Sequence, residues 1–134
     1  MGAWGVGIFE NDDAADWICE LEDHQGDEFL LDTLSAANEN NGYLEVTDAS
    51  RALAAAEVVA YSLGKMHANL PFEVQEWIRK NDISSNSELP KLALRAVSRI
   101  KSNSELQELW DEAEEKVAWY QATTDLENRL GTRT

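Results

Sequence analysis

Residues 49–63 read Ala-Ser-Arg-Ala-Leu-Ala-Ala-Ala-Glu-Val-Val-Ala-Tyr-Ser-Leu, the most apolar run in the chain. Alanine and leucine favour a helix. A helix that is apolar nearly all round has no face to offer water, so it belongs at the centre of a bundle. The run predicts a helix over about 49–66, capped by Thr47 or Asp48. Glu57 is its one charge between Arg51 and Lys65. An unpartnered buried carboxylate is very costly. The structural expectation is that Glu57 accepts hydrogen bonds from a Trp indole or from free backbone N–H groups of the glycine-bearing N-terminus. The functional alternative makes it a proton donor or ligand.

Amphipathic helices are expected around this centre. Ala14, Trp17, Ile18 and Leu21 recur at helical spacing, so a helix runs over about 12–24, capped by Asn11 or Asp12 and closed by Gly26. A second covers about 28–39, with Leu30, Leu31, Leu34 and Ala37 inward and Asp27 as its cap. Tyr43 to Val46 alternate enough for a short extended piece. Pro71 suits the first turn of a short helix to Lys80, with Phe72, Trp77 and Ile78 as its apolar residues. Another helix covers about 88–101, with Leu89, Leu92, Ala96, Val97 and Ile100 inward. Ser104 and Gln107 form a capping box for a last, long helix to about Leu130, ended by Gly131. Leu106, Leu109, Trp110, Ala113, Val117 and Tyr120 are its inward residues. Residues 1–9, with Gly2, Gly5 and Gly7 among Trp4, Ile8 and Phe9, form an irregular arm packed on the helices. The expected fold is all-α: a single domain over 1–134, one compact bundle of five or six helices with a Gly/Trp-rich N-terminal arm.

Charge narrows the partners. Of 26 Asp and Glu and 11 Lys and Arg, giving net charge −15, residues 1–50 hold 13 acids and no Lys or Arg. Nucleic acid is held by Lys and Arg, so a nucleic-acid partner is not expected. The acidic half would attract a basic protein or a divalent metal, or would serve solubility. No stretch approaches the ~18 apolar residues of a membrane span. The N-terminus lacks the basic segment and apolar core of a secretory signal. Val6 stands where a myristoylation pattern wants Ser or Thr. These features lead us to expect a cytoplasmic protein. Cys19 is the single cysteine, so no internal disulfide forms.

No pattern among these residues specifies an activity. Asp12, Asp16, Glu20 and His24 follow at steps of four along one helix face, a row that would suit a metal. One helix rarely supplies a whole site, and the Glu-x-x-His of di-metal bundles is missing. An EF-hand needs an oxygen ligand at its third position and Gly at its sixth; counted from Asp12, Ala14 and Trp17 stand there. Gly5-Val6-Gly7 lacks the preceding strand and third glycine of a dinucleotide loop. Cys19 and His24 lie about 140° apart on a helix, so they do not form a nucleophile–base pair; a small buried residue is the expectation for Cys19. Lys91, Arg95 and Arg99 form a basic row, and Glu105, Glu108, Glu112 and Glu115 an acidic one. The two either pair or stay solvated. No catalytic residue, metal ligand or cofactor is assigned.

Met1-Gly2-Ala3-Trp4-Gly5-Val6-Gly7-Ile8-Phe9 followed by Asn11 to Asp16, with Ala54-Ala55-Ala56-Glu57-Val58-Val59-Ala60 and Asn103 to Trp110, resembles the bacterial domain-of-unknown-function family 4259 over most of the chain. The resemblance implies a small bacterial cytoplasmic protein and brings no established activity. It suggests that the arm (Trp4, Gly5, Phe9), Asp12, Asp16 and Glu57 form one connected feature, with Asp12 or Glu57 receiving hydrogen bonds from the arm. The expected function is a non-enzymatic acidic binding protein for a basic protein partner, as in toxin-neutralising immunity proteins. Its candidate binding residues are Trp4, Asp12, Asp13, Asp16, Glu20 and Glu57. The alternatives are a metal-dependent or hydrolytic enzyme using Asp12, Asp16, Glu20 and Glu57, and a self-associating structural protein with an exposed apolar stripe on one helix.

Overall fold

A computed structural model describes residues 7–39, 42–65, 70–83 and 86–131. The arm up to Val6, including Trp4, lies outside the described residues. Among the described residues there is no strand and there are seven helices. They are α1 (Asp12–Leu21), α2 (Glu28–Glu39), α3 (Val46–Ser62), α4 (Phe72–Lys80), α5 (Glu88–Ser102), α6 (Glu105–Asp111) and α7 (Lys116–Gly131).

α3 is the centre. Residues 52–60 are buried without interruption, and α3 touches each of the other six helices. Its alanines let neighbouring backbones come close. Leu53, Val58 and Val59 each gain about 1.5–3 kcal/mol over an exposed position. The expected limits of α3 shift at both ends. It starts at Val46, with Glu45 at the N-cap offering no side-chain bond. The free N–H of Val46 is instead taken by Glu105 Oε1 at 2.9 Å. The Glu105 N–H in turn donates to the Leu44 carbonyl at 2.8 Å. Tyr43 to Glu45 is therefore a connection seated on α6, with Glu45 in extended backbone, and Thr47 and Asp48 lie inside the first turn rather than capping it. At the other end, Gly64 takes a left-handed φ of +82°. Gly64 N–H donates to Tyr61 O at 2.9 Å and Lys65 N–H to Ala60 O at 3.0 Å. This is a Schellman cap, which glycine makes cheaply, so α3 stops at Ser62.

The last long helix is two helices, which makes seven in place of five or six. Ser104 caps α6 as expected, accepting from Gln107 N–H at 3.0 Å. The chain then turns through 112–115 with i→i+3 bonds, Ala113 N–H to Trp110 O at 3.0 Å and Lys116 N–H to Ala113 O at 3.3 Å. Trp110 and Trp119 supply the reason. Nine residues make about two and a half turns, so an unbroken helix would point them to opposite sides. With the turn, both are buried and stack at 6.2 Å. The buried stripe restarts in a new phase as Trp119, Thr123, Leu126 and Leu130. Val117, expected inward on the old phase, is 66% exposed.

Two further expectations are corrected. α1 ends at Leu21, before Gly26 (φ +75°). Cys19 is exposed, because Ala14, Trp17, Ile18 and Leu21 take the buried face of α1. Phe72 is exposed at the start of α4, where Val74 and Trp77 are the buried residues.

Candidate functional site

The candidate residues separate into two places. The first is the outer face of α1. Asn11 caps this helix, accepting from Ala14 N–H at 2.8 Å. Because Ala14, Trp17, Ile18 and Leu21 face the core, the i, i+4 row of Asp12, Asp16 and Glu20 is turned to solvent and exposed, with Asp13 half-buried beside it. The Trp17 indole donates to Thr33 Oγ1 of α2 at 3.0 Å, and its ring stacks on Phe29 at 5.4 Å. α2 is thereby held against α1, and its exposed Glu28 and Asp32 widen the acidic surface. The one Lys or Arg between residues 7 and 64 is Arg51; its guanidinium binds Glu20 at 2.8 Å.

His24 leaves the row. The helix ends before it, its ring stacks on Phe29 at 4.3 Å, and its carbonyl accepts from the Trp77 indole at 2.9 Å. Among the described residues no three His, Cys, Asp or Glu side chains are grouped so as to hold a metal ion.

The second place is the α3–α7 contact. Glu57 is 2% exposed. Arg129 of α7 binds both of its carboxylate oxygens, Nη2 donating to Oε1 at 2.7 Å and Nη1 to Oε2. Arg129 Nη1 also donates to the Lys65 carbonyl at 3.1 Å, which the Schellman turn puts in reach. Arg129 Nε donates to Asp125 at 2.8 Å. Burial works against the Arg129 charge, but the hydrogen bonds and attraction of Glu57, then of Asp125, prevail and raise its pKa. A planar guanidinium facing a carboxylate with two parallel bonds is the strongest form of such a pair. The expectation that Glu57 is hydrogen-bonded is met, with a different donor. The indoles of Trp17 and Trp77 go elsewhere, and the arm up to Val6 lies outside the described residues.

Among the described residues Asp12 and Asp16 stand exposed on α1, whereas Glu57 is buried and bound by Arg129 of α7; Trp4 and Gly5 of the arm, through which one connected feature is expected, lie outside the described residues. The basic and acidic rows are also used separately. Lys91 pairs with Glu88 of its own helix at 3.7 Å. Arg99 donates to the carbonyls of Ala37 at 3.0 Å and Gly42 at 2.7 Å, tying α5 to the end of α2. Glu105 caps α3. Sequence reasoning missed Arg51 and Arg129. Arg129 carries a faint signal: it sits between Leu126 and Leu130 at the border of the α7 stripe, where a long side chain reaches inward.

Grooves open elsewhere on the described surface. One of about 580 Å³ lies between α4 and the end of α1, lined by Glu22, His24, Phe72, Glu73, Glu76 and Trp77 among others. In it Glu76 has a lowered pKa, chiefly through its hydrogen bond from Arg79. Another, of about 240 Å³, lies between Phe29, Asp32, Thr33, Ala36, Asp48 and Arg51. A third, of about 430 Å³, runs along α7. None of these three holds Asp12, Asp16, Glu20 or Glu57.

Residues 2–122 match the model of the domain of unknown function DUF4259, and the chain belongs to that family. No curated protein and no solved structure matches it. Glu57 lies inside the matched span and Arg129 beyond it.

Proposed function

We propose that this member of the DUF4259 family is a non-enzymatic, bacterial cytoplasmic binding protein whose acidic face, built on α1 and α2, receives a basic protein partner in the manner of a toxin-neutralising immunity protein. One observation carries the reading. Asp12, Asp16, Glu20, Glu22, Asp23, Glu28 and Asp32 are all exposed, while Arg51, the one Lys or Arg between residues 7 and 64, is engaged by Glu20 and Lys80 shares a groove with Glu22 at the edge of the face. Such a predominantly negative surface steers an oppositely charged partner and disfavours like-charged ones. Trp4, next to this face in sequence, stays a proposed contact. Glu57 serves the reading indirectly, by holding α3 to α7 beneath the surface. The hydrolytic or metal-dependent alternative would gather Asp12, Asp16, Glu20 and Glu57 in one pocket, and it draws no support from carboxylates placed on the outside of α1 and in a buried ion pair.

The test is affinity capture from the source lysate at low and high salt. It uses the wild type and a variant combining Asp12→Asn, Asp16→Asn and Glu20→Gln. A basic protein held by the wild type at low salt, released at high salt and lost by the variant supports the reading, since exposed charges are screened over ~10 Å at 0.1 M salt. Equal capture by both proteins, or none, sinks it.

A further inference from the structure

We propose that α7 is a self-association surface, on which two copies of this chain pair as antiparallel helices about a two-fold axis passing between Tyr120 and Gln121. From Val117 to Thr124 α7 carries eight consecutive uncharged residues. Val117, Tyr120, Gln121 and Thr124 stand at i, i+3, i+4 and i+7 and line the groove of about 430 Å³. Four residues so spaced form the hole that accepts a knob from a facing helix. Val117, two-thirds exposed, is a large apolar side chain left in water beside that hole. It is left there because the turn after α6 moved the buried stripe to Trp119.

The sequence of this face is complementary to itself when reversed. An axis between Tyr120 and Gln121 places Tyr120 against Gln121 of the second copy and Val117 against Thr124. It also places Lys116 against Asp125 at both ends. Within one chain Lys116 and Asp125 are nine residues apart, about 13.5 Å along the helix, so on the same helix they do not meet. Lys116 has a neighbour in Asp111 at 4.0 Å and Asp125 one in Arg129. Both side chains remain about half exposed, at 52% and 55%, with room for a partner across the axis. A closed two-fold contact of this kind uses one patch on both copies. It is limited to one helix face, so the association is weak and reversible.

Each copy carries −15, so the two repel at long range, and salt strengthens this contact by screening that repulsion. The sign is opposite to that of the proposed basic partner, which salt releases. The two proposals therefore fail separately.

Sedimentation velocity on the full chain, from micromolar to millimolar concentration at low and high salt, is the test. The expected result is a monomer–dimer equilibrium that shifts to dimer with concentration and with salt. Val117→Glu is expected to weaken it about tenfold or more, by setting a carboxylate against an uncharged face. The fold should be untouched, because Val117 points to solvent. In a Cys19→Ser background, Gln121→Cys should oxidise to a covalent dimer and Asn128→Cys, away from the axis, should not. A monomer at every concentration and salt overturns the proposal. So does a dimer that survives Val117→Glu, or one that cross-links equally through position 128.

Discussion

Arg51 with Glu20 and Arg129 with Glu57 are the same chemical pair on two sides of α3, with N–O distances of 2.8 Å and 2.7 Å. Their surroundings differ. The side chains are 31% and 50% exposed in the first pair, and 13% and 3% in the second. At the surface each partner has water as a good alternative, and the pair contributes ~0–1 kcal/mol. In the interior the alternative for Glu57 is an unpaired carboxylate among Ala and Val side chains. Distance alone therefore says nothing about what a pair contributes. The α1 side of α3 is an open, charged face suited to meeting other molecules. The α7 side is a closed joint.

The sharpest way to break this contrast is Arg129→Ala, which strands Glu57. We expect a loss of about 3–5 kcal/mol, read as a lower urea midpoint at unchanged slope. Replacing both partners with apolar residues, Glu57→Met with Arg129→Leu, should recover most of it, because the desolvated charges leave together. If Arg129→Ala alone is neutral, the joint is not the closed one described here.

A third pair falls between the two and brings in pH. Glu127 receives Lys101 at 2.8 Å and the Ser98 hydroxyl at 2.6 Å. Partial burial pushes its carboxyl up, but the bonds from Lys101 and Ser98 prevail and hold its pKa below the ordinary 4.5. A depressed folded-state pKa contributes stability above the ordinary value, and that stability is lost as pH falls through the folded one. Thermal melts should show the wild type ahead of Glu127→Gln near neutrality, with the gap closing on acidification below 4.5. A gap that widens in acid would reverse the assignment.

The smallest effect is expected at Glu20. Glu20→Gln should change stability by less than about 1 kcal/mol and by still less at high salt. A larger loss would mean that the acidic face is structural, and would remove the main reason for reading it as a meeting surface.

Much of the bundle was legible from residues a few positions apart. The apolar run at 52–60, the helical spacing of α1, α2 and α5, and the Ser104 cap all rest on contacts within one or two turns, which local sequence encodes. The break between α6 and α7 contains no Gly or Pro. The sign in sequence is only a change of phase, from Leu106 and Trp110 to Trp119, Thr123, Leu126 and Leu130. It becomes decisive once both tryptophans must face one core. Val46 is capped by Glu105, 59 residues away, where Thr47 or Asp48 looked sufficient, because the seating of Leu44 on α6 brings that carboxylate to the helix end first.

Periodicity and the cost of burying a lone charge were enough to establish an all-helical chain, a central α3, an acidic first half and a Glu57 that must be partnered. Which group partners Glu57 was settled by packing. Arg129 stands 72 residues further on, and neither helix carries a local mark of the other. A pair so distant in the chain exists because α3 and α7 are pressed together by their apolar faces, and that contact is a property of the folded core as a whole.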